Sequence, residues 1–150
     1  MPELNWDRSN PFIIAIKVNQ SNIDGYGHVS THNYVQWMID CAFAHSTELG
    51  LSEARCVELG RGMAAVNLQV KLQGAAYEGE HLQVATWIVA SDGRLRLSRE
   101  FQVINQDSGK TLTRGRCDFV CTNLENGKPV RMPPEFLDSY RVASAEIPAE

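Results

Sequence analysis

The chain has 150 residues, 43% of them hydrophobic and 21% charged, with a formal net charge of −4. Length and composition fit one soluble globular domain over residues 1–150, large enough for a core of its own. The negative balance argues against nucleic acid, which needs a basic face, and no apolar stretch is long enough to predict a membrane span.

The N-terminus, Met1-Pro2-Glu3-Leu4-Asn5-Trp6, has no basic segment followed by an apolar one, so no secretion signal is expected. Residues 11–18 form a short β-rich run and predict a first strand. The loop over 19–30 contains Asp24-Gly25-Tyr26-Gly27-His28-Val29. Residues 31–49 then read as a helix, with Ser30 or Thr31 as cap and Gly50 after the last turn. Val35, Trp37, Met38, Ile39, Cys41, Ala42, Phe43 and Ala44 leave it only a narrow polar stripe, so it is expected to be buried on most sides. A short second helix is expected over 51–59.

From residue 63 the period changes to two. Val66, Leu68, Val70 and Leu72 fall on one face of a half-buried strand, with Asn67, Gln69 and Lys71 on the other. Residues 81–90 alternate through Leu82 and Val84. Asp92-Gly93 is a hairpin signal, 94–104 return from it, Asp107-Ser108-Gly109 turns again, and 110–123 complete a meander. Met132-Pro133-Pro134-Glu135-Phe136 opens a short tail. Strand, long helix, then hairpin-linked strands is an α+β order, an antiparallel β-sheet over one helix. Such a sheet leaves edges to be managed, so pairing with a second copy is expected.

The four cysteines, Cys41, Cys56, Cys117 and Cys121, contain no Cys-x-x-Cys pair. Free thiols in a reducing cytoplasm are expected. Arg99 shares a face with Leu95, Leu97 and Phe101. A charge there is expected in a buried ion pair or, on the sharper reading, against a cofactor phosphate. Arg94, Arg96, Arg114 and Arg116 are further basic candidates for phosphates. His28 and His32 stand four apart, yet His28 precedes the helix cap, so a shared metal-binding face is not required. His45 and His81 read as structural or exposed.

The stretch Asn22-Ile23-Asp24-Gly25-Tyr26-Gly27-His28-Val29, followed by Asn33-Tyr34 and Trp37, resembles the signature of hotdog-fold acyl-CoA thioesterases of the 4-hydroxybenzoyl-CoA thioesterase type. That signature runs roughly Asp-x-Asp-x-x-Gly-His/Ile-Val and then Asn and Tyr. The second Asp falls on Asp24, while the first is replaced by Asn22, and Ser30-Thr31 stand where many relatives carry two asparagines. The resemblance spans nearly the whole chain. It implies the hotdog fold, a sheet wrapped around a long central α-helix, and hydrolysis of an acyl-CoA or acyl carrier protein thioester by a homodimer or homotetramer. It implies no metal and no cofactor beyond the coenzyme A of the substrate.

On that resemblance Asp24 is the catalytic acid, as nucleophile or general base. The backbone N–H of Thr31, at a helix start that carries partial positive charge, polarises the thioester carbonyl. Gly27, His28, Asn33, Tyr34 and Trp37 shape the loop or line the substrate. Asn33, in the first turn, is expected to hydrogen-bond back to the loop. The plainer reading of Asp24 is a turn residue, since Asp-Gly favours turns. Asp40, Glu48 and Glu58 are alternative acids, with a solvated role expected for Asp40 and Glu48. A carrier-protein thioesterase and a module that binds acyl-CoA without cleaving it are the alternative functions. No Gly-x-Ser-x-Gly elbow is present to support a serine hydrolase.

Overall fold

The computed structural model describes residues 3–142. Its strands are β1 (Phe12–Lys17), β2 (Arg61–Leu72), β3 (His81–Ser91), β4 (Arg96–Asn105) and β5 (Thr111–Asn123). They form one sheet in the order β1-β3-β4-β5-β2, antiparallel at every pairing. Between β1 and β2 come α1 (Thr31–Glu48) and α2 (Glu53–Leu59), and α3 (Pro134–Ser139) follows β5. This is the α+β arrangement read from the sequence, with the sheet laid over one long helix.

Helix α1 starts after Ser30, which is extended, and packs Tyr34, Trp37, Met38 and Cys41 against β1 and β3. These residues join Val84, Phe101, Val103 and Leu112 of the sheet in the main core. Helix and sheet approach closely at one point. A Cβ on Gly115 of β5 would stand 2.6 Å from Met38 Sδ, so the strand carries a residue without a side chain there. A second cluster gathers Leu51, Ile88, Leu97, Cys121, Met132, Phe136 and Tyr140 beneath α3.

The outer face of the sheet is covered by the segment before β1. Asp7 takes two hydrogen bonds from Arg114, at 2.7 and 3.0 Å, and its N–H donates to Gln102. Arg8 pairs with Glu100, which also pairs with Arg116. Trp6 meets Trp87 edge-on at 6.1 Å. This cover buries Gln102, a polar residue on what the alternation alone marks as a wet face.

The expected half-buried face of β2 is corrected in extent: Leu68, Val70 and Leu72 do share the inner face, but of these only Val70 is partly buried against the core. Val66 is 58% exposed, Leu68 40% and Leu72 50%. The strand lies at the sheet edge, and Val66 is the extra residue of a bulge between Ala65 and Asn67. The rest of the strand therefore continues at a shifted register, with an apolar surface open to solvent in the single chain. Helix α3 is also new, since the tail's six-residue helix gives no periodic signal.

Candidate functional site

The loop between β1 and α1 is built by its own backbone. Asp24 N–H donates to His28 O at 2.9 Å and Gly27 N–H to Asp24 O at 3.1 Å. Gly27 has φ 89°, the left-handed region that a side chain disfavours. Asp24 Oδ1 accepts from the Tyr26 N–H at 2.8 Å, an Asx turn. Its Oδ2 lies 3.7 Å from His28 Nδ1, with both side chains partly open to solvent. Turn residue and accessible carboxylate are thus the same group.

The loop is fastened to the helix start. Ser30 N–H donates to Asn22 O at 2.9 Å and Val29 N–H to Ala76 O at 2.9 Å. Asn33 Nδ2 donates to Asn22 O at 3.2 Å, and Asn22 Nδ2 donates to Asn33 Oδ1 at 2.9 Å. The last bond needs an amide donor at position 22, which the aspartate of the resembled signature lacks. Ser30 makes no side-chain cap bond; the Asn33 N–H is taken by Ser30 O at 3.0 Å, while the Thr31 N–H at the first helical position is left for another acceptor. Thr31 is exposed.

Tyr34 and Trp37 are buried and meet edge-on at 5.6 Å. Trp37 lies in the core and is not among the residues lining the cavity described below. His32 is exposed, and among the described residues no group of three or more His, Cys, Asp or Glu side chains is placed to hold a metal ion. The alternative acids lie at the surface. Asp40 accepts from Gln36, Glu58 pairs with Arg55, and Glu48 is exposed.

A cavity of about 410 Å³ opens between α1, α2 and the inner faces of β2, β4 and β5. Its walls are mostly apolar: Met38, Ile39, Ala42 and Phe43 from α1, and Leu97, Phe101 and Phe119 from the sheet. Thr31, Val35, Ile39, Ala42 and Ser46 fall at spacings of four and three residues, so one stripe of α1 runs from the exposed helix start to the cavity's far end.

Arg99 lines that far end and is 2% exposed. It donates to His45 Nδ1 at 2.8 Å and to Ser46 Oγ at 3.3 Å, and lies 5.7 Å from the Tyr140 ring centre. The Tyr140 hydroxyl in turn donates to Ser46 at 2.9 Å. The expected buried ion pair is thereby corrected, since Arg99 has no carboxylate partner among the described residues. Only its position on an apolar face was legible in the sequence. Its partners come from a helix and a tail distant in the chain.

The other arginines divide by place. Arg114 and Arg116 are held in ion pairs on the outer face. Arg94 and Arg96 are exposed at the β3–β4 hairpin. The Asp24 loop bonds instead near the opposite end of β3, whose 11 residues span roughly 35 Å. Within one chain none of the four is both unpaired and beside Asp24.

His45 carries a pH signature. Burial and then the charge of Arg99 pull its pKa down from 6.5 to about 4. The native ring is therefore neutral where the unfolded chain's histidine takes a proton. Stability should fall as pH drops from 6.5 towards 4, and this contribution should be constant above and below that window. Thermal melts across this range should show a shallower pH slope for His45→Gln than for wild type. Equal slopes would refute the assignment.

A family model described as thioesterase-like superfamily matches residues 18–139. Among curated proteins, the L-carnitine dehydrogenase/betainyl-CoA thioesterase of Rhizobium meliloti (strain 1021) is 26% identical over 137 residues, 91% of this chain. The chain spans only 27% of that relative's length. A 1,4-dihydroxy-2-naphthoyl-CoA thioesterase from Synechocystis superposes with TM-score 0.79 at 19% identity, over 87% of this chain and 96% of that one. A Staphylococcus aureus protein solved in complex with CoA gives TM-score 0.81 at 18% identity, over 87% and 81%. At these identities the solved structures speak for the fold. Together with a model match that runs from the end of β1 to the end of α3, they account for the same elements in the same order, and the chain belongs to the thioesterase-like superfamily.

Proposed function

We propose that the protein hydrolyses acyl-CoA thioesters to the free acid and coenzyme A. The observation that carries this is the arrangement along α1. An accessible carboxylate, Asp24, sits on the loop fastened to an uncapped helix start, and the same helix face leads into an apolar cavity. Membership of the thioesterase-like superfamily supports the reaction class.

The thioester carbonyl accepts from the Thr31 N–H, where the helix start favours developing negative charge. In the general-base route Asp24 takes a proton from water, whose oxygen bonds to the carbonyl carbon. The oxyanion then collapses, the C–S bond breaks, and the thiolate recovers the proton from Asp24. In the nucleophilic route the carboxylate itself displaces the thiolate, and water opens the resulting anhydride. His28, beside Asp24 Oδ2, and the Asn22–Asn33 pair hold the loop for either route. Gly27 supplies the turn, and Tyr34 and Trp37 anchor the helix from the core. Neither route requires a metal or organic cofactor, and coenzyme A enters only as the thiol half of the substrate.

The test is thiol release from aliphatic and aromatic acyl-CoAs, and from acyl carrier protein thioesters, with the enzyme's own thiols subtracted. Turnover of free acyl-CoA is the expected result. Turnover confined to carrier-protein substrates, or acyl-CoA binding without turnover, would replace this reading by one of its alternatives.

The β2 edge, with Val66, Leu68 and Leu72 exposed, favours assembly into a homodimer or homotetramer. Sedimentation should give at least two chains per particle, falling towards one in a Val66→Lys, Leu68→Lys variant. A monomeric wild type would overturn this. Four unpaired cysteines fit a reducing, cytoplasmic setting, and no helix among the described residues is long and apolar enough to cross a membrane.

A further inference from the structure

The far end of the cavity holds a charge that hydrolysis of a plain acyl chain does not use. An arginine stays protonated in a protein interior, although burial lowers the pKa of Arg99. Its two hydrogen-bonded partners are neutral: a serine, and a histidine that accepts through Nδ1. They engage two of the five N–H donors of a guanidinium. The C-terminal half of α1 offsets at most about half a unit charge. Glu53 also lines the cavity, but it is exposed and forms no ion pair with Arg99. A buried cation without an anion is costly; this one has none among the described residues and lines a cavity wide enough to admit a ligand.

We propose that the cavity takes an acyl group bearing a carboxylate at the end remote from the thioester, and that Arg99 pairs with that carboxylate. The substrate class is then the CoA monothioester of a dicarboxylic acid. This rests on the thioesterase reading for the position of the thioester, at Thr31. From there to Ser46, beside Arg99, the helix advances about 22 Å, so the acid must be carried on a long chain. Apolar walls line the second half of that path, from Met38 to Phe43, and suit its methylene units. A guanidinium meets a carboxylate through two parallel hydrogen bonds, a geometry that a methyl terminus cannot supply. The same charge disfavours an acyl group carrying a quaternary ammonium.

The test compares kcat/KM for ω-carboxyacyl-CoAs and for methyl-terminated acyl-CoAs of matched length, with betainyl-CoA alongside. Wild type should prefer the ω-carboxyl substrate by about 10–100-fold, the range of a charge-assisted hydrogen bond. Arg99→Met should abolish the preference, and Arg99→Lys should keep part of it. A wild-type ratio at or below one overturns the proposal, as does faster turnover of betainyl-CoA. Calorimetry of wild type with the free long-chain diacid and its monoacid counterpart gives a readout that needs neither variant folding nor catalysis. Diacid binding in a protein that cleaves no thioester would sink the hydrolase reading and keep this one. Hydrolysis of plain acyl-CoAs with no preference for the diacid would do the reverse.

Discussion

Asp24→Asn should lower thiol release from acyl-CoA by about 10²–10⁴-fold, the usual contribution of a positioned general base. The substitution isolates the charge. An asparagine oxygen can still accept the Tyr26 N–H that Asp24 Oδ1 accepts at 2.8 Å, so the Asx turn survives. The loop's other ties, from Asp24 N–H to His28 O and from Ser30 N–H to Asn22 O, are backbone bonds and do not change. Melting temperature and circular dichroism should match wild type while turnover collapses. Turnover within a few-fold of wild type would remove Asp24 from the chemistry. It would then fall to Asp40, Glu48 or Glu58, whose surface positions give none of them an adjoining helix start.

The second large effect concerns folding. Phe136 of α3 is 0% exposed and sits among Leu51, Ile88, Leu97, Cys121 and Met132. It meets Tyr140 edge-on at 5.5 Å. Phe136→Ala should cost about 3–5 kcal/mol, because the surrounding side chains come from three strands and two loops that cannot all close the space. For a chain of this size that is a fall of roughly 10 °C in melting temperature. A shift of about 2 °C or less would mean that α3 is an ornament rather than a wall. The loss should also reach the cavity, since Tyr140 contributes to its lining and donates to Ser46.

The sequence shows some of these features plainly and hides others for identifiable reasons. The hairpin at Asp92-Gly93 and the long helix after residue 30 are local, carried by turn chemistry and by a run of apolar residues. The five strands and α1 were therefore legible to within a few residues. The burial of β3 on both faces was not, because the cover comes from Trp6, Asp7 and Arg8, far upstream. The β2 face is more open than its alternation implies because the strand lies at the sheet edge, which nothing local marks, and only Val66 leaves the period, at a bulge. Asp24 and the helix start could be singled out because loop and helix are consecutive. Arg99 stood out only as an anomaly. Its meeting with His45, Ser46 and Tyr140 is a product of topology, and Tyr140 lies in a tail whose Pro-Pro pair conceals a short helix.

On the proposed reading α1 carries the carbonyl donor at its first residue and, from Met38 onward, one wall of the cavity, so it works as a graduated ruler. Its marks are Ile39, Ala42 and Ser46, spaced about 4.5–6 Å apart along the axis. With Met38 fitted against Gly115, the ruler is set at a fixed offset from the sheet. On the proposed reading, the longest acyl group admitted is decided by the bulk of one mark at a time. A change at Ala42 would shorten the scale without disturbing its zero. Selectivity for chain length and the hydrolytic step can thus diverge independently in this scaffold, although one helix serves both.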